Sequence, residues 1–189
     1  LDPMCGSGTF VIEAALMAAN LPVNLNRKKY AFQLWPNWDQ TLFDKIKKGQ
    51  LAKFRKPGIK ILGADKSPSA IEKAANNAKN AGVADWVSFK EISFFQQKKY
   101  TEMIHILTNP PYGKRLEGNV NTLYQSIGDT FKNSFTHANA WIISSNFEAL
   151  KHIGLRPSRK IKLFNGKLES RLLYFPIYEG TKRIHKLKN

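Results

Sequence analysis

Residues 2–9 read Asp-Pro-Met-Cys-Gly-Ser-Gly-Thr and run straight into an almost wholly apolar stretch. Two glycines one residue apart let a backbone turn sharply and pass close to a ligand. Leu1 is therefore expected to end a first strand, and residues 8–20 to form a buried helix whose only charge is Glu13. The same alternation continues. Residues 59–65 predict a second strand, and Ser67-Pro68 opens a helix, with Ser67 as cap and Pro68 in the first turn. Ile71, Ala74, Ala75 and Ala78 are its expected buried stripe, and Gly82 its end. Residues 86–89, 103–107 and 140–144 predict three more strands. Leu123, Ile127, Phe131 and Phe135 recur every fourth residue, the spacing of a helix facing a core. Asn146 suits the cap of a short helix. Residues 159–164 and 170–178 predict two closing strands around an Asn165-Gly166 turn.

Strands alternating with helices imply an α/β fold, with a mostly parallel sheet covered on both faces. Ligands of such sheets bind beyond the carboxyl ends of the strands. Residues 1–180 are expected to form one domain and residues 181–189 a basic tail. The connection over residues 21–58 carries Pro22, Pro36 and Pro57 and is expected to be irregular, pinned to the body by Trp35, Trp38 and Phe43. The chain opens on Leu1, so the first strand is expected to start upstream, where a further module could precede it.

Lys and Arg number 30 against 14 Asp and Glu, a formal charge of +16. Such an excess favours a polyanion partner, because each neutralised phosphate releases counterions. A basic protein of the membrane surface would share this charge, but no stretch resembles a signal peptide or a membrane span. Nucleic acid is the expected partner, with no membrane. One cysteine excludes an internal disulfide, and four scattered histidines give no zinc-like spacing, so no metal is expected and the compartment is read as the cytoplasm.

The glycine turn is no phosphate-gripping loop, since no Gly-Lys-Ser/Thr follows. Nor is it a dinucleotide fingerprint: Val11 stands where a third glycine belongs. A phosphate-free ligand with an adenosine, a sulfonium and an amino acid fits better. Asp2 would draw in its positive amino end, and Met4, Cys5, Gly6, Ser7 and Gly8 would lie against it. Asp65, ending the second strand, would accept hydrogen bonds from both ribose hydroxyls. Lys66, then Ile92 and Ser93 after the third strand and Asn109 after the fourth, complete the candidate cofactor set. Cys5 is read as a small packing residue, because no base is indicated beside it.

Asn109-Pro110-Pro111-Tyr112-Gly113 follows the fourth strand. Prolines cannot donate ladder hydrogen bonds, so the strand must stop, and two in series hold the chain stiff. The turn then presents the Asn109 amide oxygen and the Pro110 carbonyl in fixed geometry. Two such acceptors can bind both hydrogens of an exocyclic base amine and aim its lone pair at a methyl donor, by positioning and preorganised dipoles alone. The base must be flipped out or unpaired, with Tyr112 stacking on it. Lys114 and Arg115 would hold flanking phosphates, and Arg156, Arg159 and Lys160 would extend the RNA-binding surface.

Three stretches narrow the choice: residues 1–15, residues 109–116 and residues 154–161, followed by Phe164-Asn-Gly-Lys-Leu-Glu-Ser-Arg-Leu-Leu173 and the closing Ile177-Tyr-Glu-Gly180. With them the chain resembles the THUMP-associated RNA methyltransferase family (UPF0020 type). Within it, the chain is most similar to the bacterial 23S rRNA guanine-N2 methyltransferases, which often carry the label of N6-adenine-specific DNA methylases. The resemblance implies a class I methyltransferase with a Rossmann-like, seven-stranded sheet whose last strand is antiparallel. It implies S-adenosylmethionine as cofactor, with S-adenosylhomocysteine as product, and residues 109–112 as the site of transfer. It also implies a THUMP module upstream. The sequence departs from the family at Ser93, where related enzymes often carry an acid against the adenine. A DNA adenine-N6 or cytosine-N4 methyltransferase, a tRNA guanine-N2 methyltransferase and a binding protein on an inactive scaffold are the rival readings.

Overall fold

The computed structural model describes residues 1–24, 27–98, 100, 102–111 and 119–180. Helix α1 (Thr9–Ala18) begins directly after Gly8, which sits at φ 84, and buries Val11, Ile12, Ala15 and Leu16. Strand β1 (Ile61–Asp65) leads into helix α3 (Pro68–Asn80), and β2 (Val87–Glu91) pairs with β1 in parallel. The Ser67 hydroxyl accepts the Ala70 N–H at the head of α3. Its buried stripe is Ala74 and Ala78, with Ile71 half-buried beside them. Ala75 points to solvent instead; it lies off the 3.6-residue line joining the other two.

Strand β3 (Ile104–Thr108) pairs in parallel with β4 (Ala138–Ser144), and helix α4 (Val120–Ser134) lies between them in the chain. Ile127, Phe131 and Phe135 are fully buried. Asn146 caps the short helix α5 (Phe147–Lys151) by accepting the Ala149 N–H at 2.9 Å. Strands β5 (Arg159–Asn165) and β6 (Leu168–Pro176) form a hairpin, and β6 runs antiparallel to both β4 and β5. The two-residue turn is Gly166-Lys167, one residue later than expected, with Gly166 at φ 59.

Residues 1–2 join the two halves of the sheet. The Asp2 N–H donates to Leu62 O at 2.9 Å and the Ala64 N–H to Asp2 O at 2.8 Å, while the Leu107 N–H donates to Leu1 O at 3.1 Å. The spatial order is therefore β2, β1, residues 1–2, β3, β4, β6, β5. Among the described residues there are six regular strands, one short of the expected seven, and residues 1–2 bridge β1 where the other would lie. One apolar cluster packs α1 and α3 on β1, and a second packs α4 and α5 on β3, β4 and β6. Among the described residues no helix is long and apolar enough to cross a membrane.

The connection over residues 21–58 differs from expectation. It holds a 3-10 turn (Ala31–Leu34) and helix α2 (Gln40–Leu51), capped by Asp39, which accepts the Leu42 N–H at 2.9 Å. No residue of α2 is buried. Tyr30 stacks on Phe32, and Trp38 and Phe43 pack against them with tilted rings, centroids 5.0–5.7 Å apart for adjacent pairs. Trp35 stays 64% exposed, its ring edge-on to Phe32 of the same connection. The link to the body is Arg55, whose N–H and Nε donate to Ala19 O and Ala18 O, together with Phe54 against Trp86.

Candidate active site

The glycine turn is fastened from three sides. From β1, Ala64 O accepts the Cys5 N–H at 2.9 Å. From the end of β1, Asp65 Oδ2 accepts the Gly6 N–H at 3.0 Å, while its Oδ1 accepts the Ser67 N–H, also at 3.0 Å. From α3, Asn77 Nδ2 donates to Ser7 O at 3.0 Å. One carboxylate thus ties the loop to the start of α3, and each of its oxygens keeps a further lone pair for a ligand hydroxyl. The Asp65 carbonyl also accepts the Ile92 N–H at 2.9 Å, which brings the end of β2 to the same place.

The two glycines do different work. Gly6 sits at φ 51, and a Cβ there would meet nothing within 4 Å, so its backbone faces open space. At Gly8 a Cβ would meet Ala74 Cβ at 3.0 Å and the Phe89 ring at 3.3 Å. Helix packing therefore requires Gly8 independently of any ligand.

Asp2 is 5% exposed, and its Oδ1 accepts the Met4 N–H at 3.2 Å. Burial pushes its carboxyl up to about 6; the Thr108 hydroxyl and the Met4 N–H pull the other way. Thr108 is wholly buried and lies close enough to favour the charged form without making a well-formed hydrogen bond. Cys5 is also buried, and burial pushes its thiol up to about 12, with Asp2 and Asp65 adding to the effect. A thiol that keeps its proton near neutral pH is no nucleophile.

Asn109 follows Thr108 at the end of β3 and is exposed, whereas Pro110 is fully buried. Because Thr108 stands against Asp2, the Asn109 turn leaves the sheet at the same edge as the glycine turn. Tyr112, Lys114 and Arg115 lie outside the described residues. Lys66 is exposed at this edge. The Ser93 hydroxyl accepts the Phe95 N–H at 3.4 Å and opens a 3-10 turn. Among the described residues no group of His, Cys, Asp and Glu could hold a metal ion.

The expected RNA-contacting cations separate. Lys160 is in register with Leu173, Ile142 and Thr108, so Arg159 and Lys160 lie level with the end of β3. Arg156 lies beyond the start of β5, lining a cavity of about 700 Å³ with Lys132 and residues 176–180, away from Asn109. Sequence reasoning missed Asn77 and Thr108. An amide three residues after Ala74, the second of the Asn76-Asn77 pair on the helix that follows the acid, is the signal that could have found Asn77.

Known proteins with this arrangement exist. The ribosomal RNA large subunit methyltransferase K/L of Shewanella baltica (strain OS185) is 34% identical over 190 residues, covering 97% of this chain and 27% of that protein. A possible methylase from Clostridium difficile 630 superposes with a TM-score of 0.83 at 32% identity, covering 96% of this chain and 48% of that one. SMU.472, solved in complex with SAH, gives a TM-score of 0.80 at 30% identity, covering 95% and 48%. The chain therefore spans about a quarter of the length of the curated relatives it matches. Residues 1–173 match the RMKL-like methyltransferase domain family (UPF0020), and the chain belongs to that family.

Proposed function

We propose that this chain transfers a methyl group from S-adenosylmethionine to an exocyclic base amine in RNA, with N2 of a guanine in 23S rRNA as the target. The observation that supports this most is the convergence at one sheet edge of the Gly6–Asp65 contact, the buried Asp2 carboxylate and the Asn109-Pro110-Pro111 turn. The open space at Gly6 suits the backbone approach of a ligand, and a buried acid suits an ammonium. When bound, the cofactor supplies a methyl group on a sulfonium.

Asp2 then holds the amino end of the cofactor, and Asp65 holds the ribose through its unused lone pairs. Met4, Cys5, Gly6, Ser7 and Gly8 form the floor, with Lys66, Ile92 and Ser93 at the adenine side. The Asn109 oxygen and the Pro110 carbonyl accept the amine hydrogens, Pro111 stiffens the turn, and Tyr112 stacks on the base. Lys114, Arg115, Arg159 and Lys160 meet phosphates; the remote position of Arg156 leaves it at most a distal contact. Residues 1–180 act as the catalytic unit, in the cytoplasm, and no metal takes part.

The test incubates the full-length protein and labelled cofactor with unmodified 23S rRNA, with tRNA and with double-stranded DNA, followed by nucleoside mass spectrometry. N2-methylguanosine in 23S rRNA is expected. Label in DNA as N6-methyladenine or N4-methylcytosine, or label in tRNA alone, would replace this reading.

A further inference from the structure

The β5–β6 hairpin does more than close the sheet. Thr108, Ile142, Leu173 and Lys160 are level across four strands, and β3 stops there. Strand β5 continues past Lys160 as far as Asn165, about 16 Å further at the usual strand rise. The hairpin therefore stands above the sheet at the edge from which Asn109 emerges.

Its composition is one-sided. Residues 159–171 hold five cations, Arg159, Lys160, Lys162, Lys167 and Arg171, against the single acid Glu169. Side chains directly opposite on paired strands share a face. Lys162 is opposite Arg171 and Phe164 is opposite Glu169, so these four share one face of the hairpin, the first pair level with Ser144 of β4 and the second beyond it. The guanidinium of Arg171 is held 4.1 Å over the Phe147 ring, and Lys162 Nζ lies 5.0 Å over the Phe164 ring. Glu169 is engaged by Lys162 at 2.8 Å. Phe164 itself is 64% exposed, so most of its ring stays open to a ligand beside the Lys162 contact.

We infer that this hairpin face is a single-stranded RNA platform beside the reacting turn: Phe164 stacks on a base flanking the target, while Lys162 and Arg171 hold the adjoining phosphates. The inference rests on the proposed RNA reading. Its chemistry follows from exposed aromatic and basic side chains interleaved, the pattern by which proteins bind unpaired nucleotides without reading their sequence. A positively charged wall suits a phosphate backbone, and interaction with a neutral or basic protein surface would leave these cations unmatched.

The experiment uses the full-length protein, a fluorescein-labelled single-stranded 12-mer of mixed RNA sequence, and unmodified 23S rRNA as methyl acceptor. Phe164→Ala should weaken the 12-mer about tenfold and Phe164→Trp should restore it, since base stacking is worth about 1–3 kcal/mol. Lys162→Ala should lower the slope of log affinity against log salt by about one. Cofactor affinity and melting temperature should stay at wild-type values throughout. Unchanged 12-mer affinity in Phe164→Ala overturns the inference, as does an equal loss in Phe164→Trp, which would mark Phe164 as mere packing. If the wild-type protein neither binds the 12-mer nor methylates RNA, the functional reading falls first and carries the platform with it.

Discussion

Asp65 accepts the Gly6 N–H through one carboxylate oxygen and the Ser67 N–H through the other, each at 3.0 Å. The acid at the end of β1 is therefore structural before any ligand arrives: it sets the loop that the ligand must meet. Asp65→Asn turns one acceptor into a donor facing a backbone N–H. Losing a charge-assisted hydrogen bond costs about 1.5–3 kcal/mol. The expected result is a loss of cofactor affinity on the order of 10- to 100-fold by calorimetry, with kcat at saturating cofactor changed much less. Wild-type affinity in Asp65→Asn would show that the loop does not need this anchor.

Gly6 and Gly8 should respond differently to alanine. At Gly6 the backbone is left-handed but the space is open, so Gly6→Ala should cost about 1–2 kcal/mol of stability and obstruct the cofactor. At Gly8 the same backbone penalty is joined by contact with Ala74 Cβ at 3.0 Å, where α3 must shift. Gly8→Ala should therefore melt well below Gly6→Ala in urea titrations. Equal midpoints would refute the division of labour between the two.

Asp2 makes a prediction about pH. Its carboxyl is raised to about 6 from an ordinary 3.8, chiefly by burial. The folded protein thus binds this proton more tightly than the unfolded chain does. The contribution to stability is full below pH 4 and is lost as pH rises through about 6, a cost of roughly 3 kcal/mol at neutral pH. Asp2→Asn should therefore raise the melting temperature of the cofactor-free protein at pH 7.5 and do little at pH 4. Cofactor binding has the opposite sign, because an ammonium needs the carboxylate. Affinity should fall about tenfold per pH unit below 6 in the wild type and be weak and flat in Asp2→Asn. A wild-type affinity constant from pH 5 to pH 7.5 would remove Asp2 from the site.

Elements with a strong local signature were legible in the sequence. The fourfold repeat of Ile127, Phe131 and Phe135 marks α4, Ser67-Pro68 marks the start of α3, and the prolines at 110 and 111 end β3. Helix α2 was not, because none of its residues is buried, Phe43 meets rings of the same connection, and its lysines read as a solvated loop. Ala75 was assigned to the buried face because alanine is at home on either side of a helix, so an alanine-rich stretch cannot fix its own phase. At the site, residue types were legible but partners were not. That Asp65 holds Gly6 depends on the register of residues 1–2 beside β1, a long-range fact. The Asn77 contact with Ser7 crosses 70 positions for the same reason. Charge clustering grouped Arg156 with Lys160, yet strand direction sends them to different parts of the edge.

The reacting turn gives the remaining prediction. Asn109 is exposed at the end of β3, and its side chain makes no contact that the glycine loop relies on. Asn109→Ala should therefore fold normally and bind cofactor within about twofold of wild type. An acceptor aimed at charge developing in the transition state is worth on the order of 10²–10³ in kcat, by analogy with other preorganised polar groups. Asn109→Ala should lose that much methyl transfer to 23S rRNA. Asn109→Asp keeps an acceptor in the same place and should recover a measurable part of it. Calorimetry and single-turnover kinetics on the same preparations separate the two effects. If cofactor affinity and turnover fell together, Asn109 would belong to the cofactor pocket and not to the amine, and the acceptor pair would have to be sought elsewhere on this edge.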